Sequence, residues 1–304
     1  MKNLLVSFSG GETSAFMSQW LLKYYKKHGY KNIAFVFANT GEENEETLEF
    51  THKCDKHFGL NLIWVEAKIN PLLGKGVRHK EVTFETASRN GEPYKDMIAK
   101  HGIPNSENPF CTRDLKERPI ANYTKSIFDS YHTAIGIRKD EMDRINPNSK
   151  KSGFIYPLIN ASMIPSSKQV VNFYWQNQSF RLNLKGYHGN CKWCWKKSTP
   201  KLIKIAQENP EKFNFPAAME EKYQTFIPQS RIEKYLKEGK ELPNVNRFFR
   251  NNLSTQDILT LAKQKDIFIA DDSQNVNFQT DLFNHLTNED ILNQNESCEV
   301  FTEC

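Results

Sequence analysis

Residues 4–14 read Leu-Leu-Val-Ser-Phe-Ser-Gly-Gly-Glu-Thr-Ser, an apolar run that ends in two glycines among hydroxyl side chains. The run predicts a buried strand, and the apolar spacing of residues 15–22 predicts a helix. The N–H groups at a helix start lack intrahelical partners, and glycines let phosphate oxygens approach them closely. The stretch therefore indicates a strand, an anion-binding loop and a helix, although a capped helix behind a flexible loop gives the same pattern.

Further apolar runs follow at residues 33–38 and 60–65, and a helical pattern lies between them at residues 45–57. Residues 131–135 are expected to form a fourth strand. Strands that alternate with helices over short connections predict an α/β fold with a doubly wound parallel sheet, which binds ligands at the carboxyl ends of its strands. The loops after the first two strands are expected at that edge.

Composition indicates a folded soluble chain. It has 304 residues, of which 38% are hydrophobic, and this length suits one large domain or two. No apolar run approaches the roughly 20 residues of a membrane span, and the first residues lack a secretory pattern, so a cytoplasmic location without membrane contact is expected. Six cysteines, two of them in a Cys-x-x-Cys pair, fit metal or redox chemistry better than a disulfide framework.

Charge is distributed unevenly. The formal net charge is +5, yet no Lys or Arg occurs after Lys265, so the body of the chain is strongly basic. A basic body suits nucleotides or nucleic acid, and an ordinary solvated lysine-rich surface is the alternative. We expect a nucleotide-binding domain over residues 1–197, a helical extension over residues 198–265 and a loosely ordered acidic tail over residues 266–304.

Basic and aromatic side chains are interleaved on both sides of the boundary at residue 197. The aromatic members are Trp193, Trp195, Phe248 and Phe249, and lysines and arginines lie beside them. Such a mixture grips single-stranded nucleic acid by stacking and charge, as in a tRNA or DNA acceptor. The competing interpretation is that these helices simply cover the sheet.

Five motifs occur in the order typical of one family. They are the glycine loop, Thr40-Gly41-Glu42, Cys111 to Pro119, Gly136 to Glu141, and the Cys pair at Cys191 and Cys194. The first resembles the PP-loop, Ser-Gly-Gly-x-Asp/Thr-Ser, and it is no Walker A motif because no Lys follows the second glycine. The chain is identified as a member of the phosphoadenosine phosphosulfate (PAPS) reductase family, within the PP-loop or adenine nucleotide alpha hydrolase-like superfamily.

The resemblance implies a Rossmann-like, HUP-type sheet with a helical C-terminal extension, which binds ATP with Mg²⁺. It implies nucleotide contacts from three motifs: Ser7, Ser9, Gly10, Gly11, Thr13, Ser14, Asn39, Thr40, Gly41, Glu42 and Gly136. Arg138 and Lys116 are the implied catalytic cations, and a guanidinium can hold phosphate through paired hydrogen bonds. Thr13 and Asn39 each stand where the family commonly has Asp.

Three cysteines are candidate metal ligands. A helix that begins near Thr112 would place Cys111 at its N-terminal edge, where the dipole favours the thiolate. The thiols of Cys191 and Cys194 lie three positions apart on a turn and can reach one metal. Similarity to adenosine phosphosulfate (APS) reductases favours a [4Fe–4S] cluster on these three residues. Zinc, with His188 as a further ligand, and the absence of a metal stay open.

Three functions remain in view. The paired glycines favour an ATP pyrophosphatase that adenylates an acceptor for sulfur or nitrogen transfer, with tRNA or DNA among the candidate acceptors. The alternative is an APS or PAPS reductase that attacks with a C-terminal cysteine, Cys298 or Cys304. Acidic neighbours would raise the pKa of such a thiol and repel an anionic substrate. The third is a nucleotide- or nucleic-acid-binding protein without catalysis; a homo-oligomer is left open.

Overall fold

A single six-stranded sheet organises the N-terminal half of the molecule, and a computed structural model describes residues 2–72, 74–271, 273–274 and 276 of the chain. The strands are β1 (Lys2–Phe8), β2 (Tyr30–Asn39), β3 (Ile63–Ile69), β4 (Val77–Val82), β5 (Tyr131–Ala134) and β6 (Phe154–Ile155). Their order is β4-β3-β2-β1-β5-β6. All neighbours pair in parallel except β3 and β4, which are antiparallel.

Helices flank the sheet and make up the C-terminal region. The α-helices are α1 (Glu12–Tyr24), α2 (Glu45–Phe58), α3 (Glu92–His101), α4 (Phe110–Thr112), α5 (Arg118–Ile127), α6 (Ser149–Ser152), α7 (Lys168–Gln176), α8 (Thr199–Glu208), α9 (Asn214–Tyr223), α10 (Gln229–Lys237) and α11 (Thr255–Gln264). A π-helical segment, Arg113–Glu117, joins α4 to α5. The helix that contains Cys111 therefore begins at Phe110, two residues before the predicted start.

Two apolar layers sandwich the sheet. Side chains of α1, α2 and α7, among them Phe16, Leu48 and Trp175, pack on one face. Ile120 and Tyr123 of α5 pack on the other. This arrangement confirms the predicted doubly wound α/β fold with a helical C-terminal region, since crossover helices on both faces bury the parallel strands completely.

One expectation about structure needs correction. The sequence of residues 68–108 shows no clear periodicity and is rich in Gly, Pro and basic residues, which predicts an irregular lid or a disordered excursion, yet this segment contains β4 and α3. Charged side chains at Arg78, Lys80 and Glu81 on this edge strand hide its alternation, because a strand at the sheet edge exposes much of its surface to water. The four aromatics for which base stacking was one of two interpretations are buried: Trp193, Trp195, Phe248 and Phe249 are at most 5% exposed.

A third apolar cluster contains those four aromatics. It also includes Met97 of α3, Leu202 of α8 and Ile258 of α11, so it spans the predicted boundary at residue 197. The interpretation that the C-terminal helices cover the sheet domain therefore holds for these side chains. The proposed division into three segments stays a prediction, and the predicted tail lies mostly outside the described residues.

None of the helices that the structure describes has the length and apolar character needed to cross a lipid bilayer.

Candidate functional site

The glycine loop lies between the end of β1 and the start of α1. Ser14 shapes it: its Oγ accepts hydrogen bonds from Ser9 N at 3.1 Å and Ser9 Oγ at 3.0 Å, and it donates to the Gly11 carbonyl oxygen at 2.9 Å. No side chain caps α1 at Gly11. The N–H groups of the first helical turn therefore have no side-chain acceptor at the cap, which is the condition for an anion-binding helix start.

Gly10 is the residue that the loop geometry requires. Its φ is +82°, and an added Cβ would lie 2.6 Å from Thr47 Cγ2 and 3.2 Å from Phe37 Cε2. Gly11 has a φ of −101°, and its added Cβ would meet only Ser9 Oγ, at 3.8 Å. The two glycines therefore differ: the first is fixed by backbone conformation and packing, while the second leaves open space beside the loop.

Arg138 reaches the loop from the segment that follows β5. Its Nη1 donates to Thr13 Oγ1 at 3.0 Å, and its other nitrogens bind Asp140 and Glu141. Gly136 lies against the same helix start, where an added Cβ would be 3.6 Å from Ser14 Cα. Motifs more than 120 residues apart in sequence thus meet at one loop, and Thr13 serves as acceptor for the arginine.

A cavity of about 1440 Å³ opens beside this loop, and we call it the first cavity. Among the predicted residues, Ser9, Gly10, Gly11, Thr13, Lys116 and Arg138 line it. Its walls carry nine Lys or Arg side chains and five Asp or Glu side chains. The excess of cations favours a polyanionic ligand, and the volume falls above the usual range for small-molecule sites.

The remaining predicted nucleotide residues lie behind the cavity wall. Ser7 is a buried residue of β1. The buried Asn39 amide donates to Glu66 Oε1 at 2.7 Å and to the Ser88 carbonyl at 2.8 Å. Gly41, with a φ of +82°, packs on Gly91, whose N–H donates to the Gly41 carbonyl at 3.0 Å. These contacts hold the loop after β2, residues 39–43, in place, and we call it the second loop. Direct nucleotide contacts by these residues stay a prediction.

Glu42 binds a tryptophan of the Cys-x-x-Cys turn. Trp193 Nε1 donates to Glu42 Oε2 at 2.6 Å, and Lys192 N donates to the Glu42 carbonyl at 2.8 Å. The carboxyl is only 2% exposed. Burial raises its pKa from 4.5 to about 7, against the lowering effects of Lys192 and the Trp193 indole. Glu42 therefore joins the second loop to the cysteine turn.

We expect the Glu42→Gln substitution to remove the part of the pH dependence of the unfolding free energy that comes from titration of Glu42. Since the folded-state pKa of about 7 exceeds the ordinary 4.5, protonation of Glu42 stabilises the folded state below pH 4.5. This stabilisation, on the order of 3 kcal/mol, is lost as the pH rises through 7. Glutamine keeps an oxygen for the Trp193 N–H but does not titrate. The free energy of unfolding can be measured with denaturant from pH 4.5 to 8. As the pH rises, the wild-type value should fall relative to that of the variant.

The exposed Glu46 provides the control for this measurement, because it lies on the same loop and helix start but is not buried. Glu46→Gln should retain the wild-type slope. Parallel curves for wild type and Glu42→Gln would show that the Glu42 carboxyl does not titrate in this range.

Glu43 connects the first cavity to the cysteines, and it was not among the predicted site residues. Its carboxylate accepts from Thr40 Oγ1 at 3.0 Å and lies 3.4 Å from Lys116 Nζ and 3.9 Å from Cys191 Sγ. Its backbone forms a β-bridge with Cys191. Glu43 lines the cavity, whereas Glu42 does not. The run of acidic residues after Gly41 could have indicated a second candidate, but only the fold shows which one lines the cavity.

The three candidate metal ligands belong to the same apolar cluster as Tyr94. Burial raises the pKa of the Tyr94 hydroxyl well above its usual range, and the thiols of Cys111, Cys191 and Cys194 lie close enough to raise it further; Cys111 also shares a hydrogen bond with it. All three cysteines are at most 7% exposed, and none forms a disulfide. Within the described residues, no group of three or more His, Cys, Asp or Glu side chains is arranged to hold a metal ion.

Both ring nitrogens of His188 already have hydrogen-bond partners other than a metal. Its Nε2 lies 2.9 Å from Glu208 Oε2, and its Nδ1 lies 3.2 Å from Lys212 Nζ. Burial lowers the pKa of His188, so the neutral ring is favoured. Glu208 also accepts from Lys185 and Tyr187, and the four residues fix the segment before the cysteine turn.

The comparison with known proteins agrees with this geometry. Residues 3–147 match the phosphoadenosine phosphosulfate reductase domain. The chain belongs to the phosphoadenosine phosphosulfate reductase family. It is thus a member of the PP-loop or adenine nucleotide alpha hydrolase-like superfamily, and membership implies an adenine nucleotide as ligand. The matched range contains the glycine loop, the second loop, Cys111 and Arg138.

Named relatives of the chain come from a phage and an archaeon. An uncharacterized nin region protein, ORF290, of Escherichia phage lambda is 34% identical over 203 residues, which are 65% of this chain and 67% of that protein. The uncharacterized protein MJ0066 of Methanocaldococcus jannaschii is 27% identical over 141 residues, 46% of this chain and 24% of that protein. No solved structure matches the chain.

Proposed function

We propose that this protein is an ATP pyrophosphatase that adenylates an acceptor molecule for later transfer of sulfur or nitrogen. The observation that carries the proposal is the 3.0 Å contact between Arg138 Nη1 and Thr13 Oγ1 at the uncapped start of α1, beside a cationic cavity. Paired glycines and a cation at one loop suit the pyrophosphate end of ATP.

The reaction needs little beyond positioning and charge stabilisation. A nucleophilic oxygen of the acceptor attacks the α-phosphorus, a new oxygen–phosphorus bond forms, and the bond to the β-phosphate bridging oxygen breaks. The loop N–H groups and Arg138 bind the departing pyrophosphate, whose negative charge grows in the transition state. Lys116, 8% exposed and held by Glu43, supplies a second cation at the cavity wall. Mg²⁺ would enter with the nucleotide and neutralise part of its charge.

The cysteine trio is proposed as the site of a [4Fe–4S] cluster, with zinc as the alternative. Three buried thiols in one apolar cluster would supply the donor chemistry for either group. Such a cluster would lie behind the second loop, because Cys191 Sγ lies 3.5 Å from Thr40 Oγ1. Cys111, Cys191 and Cys194 would hold it, and the chemistry that it would supply there is sulfur transfer.

Pyrophosphate release tests the proposed reaction. The full chain with ATP, Mg²⁺ and tRNA or single-stranded DNA should release pyrophosphate, and Arg138→Lys should reduce the rate by about a hundredfold. Lysine keeps the charge but cannot bind Thr13 and two carboxylates through one planar group. Arg78→Lys, an exposed position on β4 outside the cavity, is the matched control and should leave the rate unchanged.

Other outcomes would favour the competing functions. Sulfite release from APS or PAPS that is lost in Cys298→Ser or Cys304→Ser would identify a reductase; both cysteines lie outside the described residues. Nucleotide binding without turnover of ATP, APS or PAPS would indicate a binding protein on the same fold.

A further inference from the structure

A second cavity, of about 680 Å³, lies beside the start of α4 and α10. Phe110 and Arg113 form one side of it, Arg231 and Lys234 of α10 form another, and Phe154 of β6 also contributes. It shares a wall with the first cavity: the adjacent residues Lys116 and Glu117 line the first and the second cavity, respectively. Nothing in the proposed reaction uses this second cavity.

Arg231 is the unusual group in this cavity, since it is a buried cation without a carboxylate partner. It is 5% exposed, and its Nη1 makes no hydrogen bond. Its contacts within the described residues are neutral. The Asn108 amide, with its oxygen turned toward the guanidinium, accepts from Nη2 at 2.7 Å and Nε at 3.2 Å, and Tyr235 offers its ring and a hydroxyl at 3.5 Å. Burying an uncompensated guanidinium is costly, and a bound anion would remove that cost.

The other charges of the cavity balance one another. Arg113 is paired with Asp114, and Lys234 lies 3.9 Å from Glu238 in an exposed contact. Two carboxylates also line the cavity, Glu107 and Glu117, and Glu107 accepts a hydrogen bond from the Tyr235 hydroxyl at 2.7 Å. Arg231 is therefore the cation of this cavity that an anionic ligand would neutralise.

A planar platform lines the same cavity. The Arg113 guanidinium lies over the Phe110 ring, 5.0 Å from its centroid, and is fixed by two hydrogen bonds to Asp114. The Arg113 side chain remains 41% exposed. Guanidinium planes of this kind stack on nucleobases. The cavity also exceeds the size of a lone phosphate, so an organic group would accompany the anion.

We propose that the second cavity binds a nucleotide unit, with the Arg231 guanidinium as counter-charge to its phosphate and the Arg113 plane against its base. The nucleotide is free or forms part of a single strand, and both share the same chemistry. The proposal stands apart from the proposed reaction, because it rests on residues that do not touch the glycine loop.

Fluorescence anisotropy of a labelled ten-residue oligothymidylate tests this assignment, with unlabelled AMP as competitor. Arg231→Met should weaken the binding of the labelled strand by about tenfold, because a charged hydrogen-bonded contact is lost. If only the free nucleotide binds, the same loss should be seen for AMP. Lys234→Ala, an exposed change on α10, should weaken it severalfold without affecting the fold. Lys125→Ala, an exposed lysine of α5 that lines neither cavity, should bind as wild type does.

Binding of the strand that AMP displaces would support a nucleotide site that takes a unit of a single strand. Binding of AMP without the strand would support a site for a free nucleotide. Equal affinity in wild type, Arg231→Met and Lys234→Ala would overturn it. Loss of binding in Ser14→Ala but not in Lys234→Ala would place the ligand at the glycine loop and would also overturn it. Thermal unfolding offers an independent readout: AMP should raise the Tm of Ser14→Ala, but not that of the Ser14→Ala, Arg231→Met double variant.

Discussion

Replacing Gly10 by Ala is expected to abolish ATP binding at the loop and to reduce pyrophosphate release by a hundredfold or more. The new Cβ would lie 2.6 Å from Thr47 Cγ2, on a backbone whose φ of +82° disfavours any L side chain. Relief of this clash must move the loop away from α2, and displacements of about 1 Å at a reacting centre cost about a hundredfold in rate. Isothermal titration with ATP and Mg²⁺, followed by the pyrophosphate assay, measures both effects.

Gly59 offers a control for backbone strain alone. It also has a positive φ, +66°, but an added Cβ there meets nothing within 4 Å, and the residue ends α2 away from the cavity. Gly59→Ala should cost about 1 kcal/mol of stability and leave ATP affinity unchanged. If Gly10→Ala binds ATP as tightly as Gly59→Ala does, the loop is not the phosphate site.

Serine replacement of any one of Cys111, Cys191 and Cys194 is expected to remove most of the bound metal. The three thiols lie in one buried apolar cluster, and a hydroxyl is a poor substitute for a thiolate as ligand to iron or zinc. Protein purified without oxygen should show visible absorption and contain iron and sulfide, and each variant should lose both. Elemental analysis and the absorption spectrum provide the measurement.

Cys54→Ser is the matched control, because Cys54 is also fully buried but belongs to α2 and to another apolar cluster. It should keep the metal, although loss of a buried thiol can lower stability. A colourless protein that contains zinc would show that these cysteines bind zinc and not an iron–sulfur cluster. Full metal content in all three cysteine variants would contradict the proposed ligands.

The motifs themselves were predictable because each is a local pattern. The apolar runs before Ser9 and Asn39 indicate strands, and parallel strands end at one edge, so the two loops were expected near each other. The same rule places the segment after residues 131–135, with Arg138, at that edge, whereas its hydrogen bond to Thr13 was not predicted. The strand at residues 77–82 was not predictable, since its exposed edge position permits charged side chains that hide the alternation.

The partners of individual side chains were not predictable from local pattern. Glu42 and Glu43 are adjacent and chemically identical, yet one binds Trp193 out of reach of the cavity and the other holds Lys116 at the cavity wall. The backbone turn sends the two carboxyls in different directions. Likewise, the sequence suggests an exposed role for Trp193, whereas the third apolar cluster buries it completely.

The sequence by itself determined four of the six strands, the loops after the first two strands and the family, since strand periodicity, glycine positions and motif order all lie in short stretches of chain. Only the tertiary structure decided that Gly10 and not Gly11 is sterically required, that three distant cysteines share one apolar cluster with Tyr94, and that Arg231 is buried without a carboxylate partner. Burial and pairing depend on elements that are far apart in sequence, and the free energy of a charge or thiol depends on those neighbours.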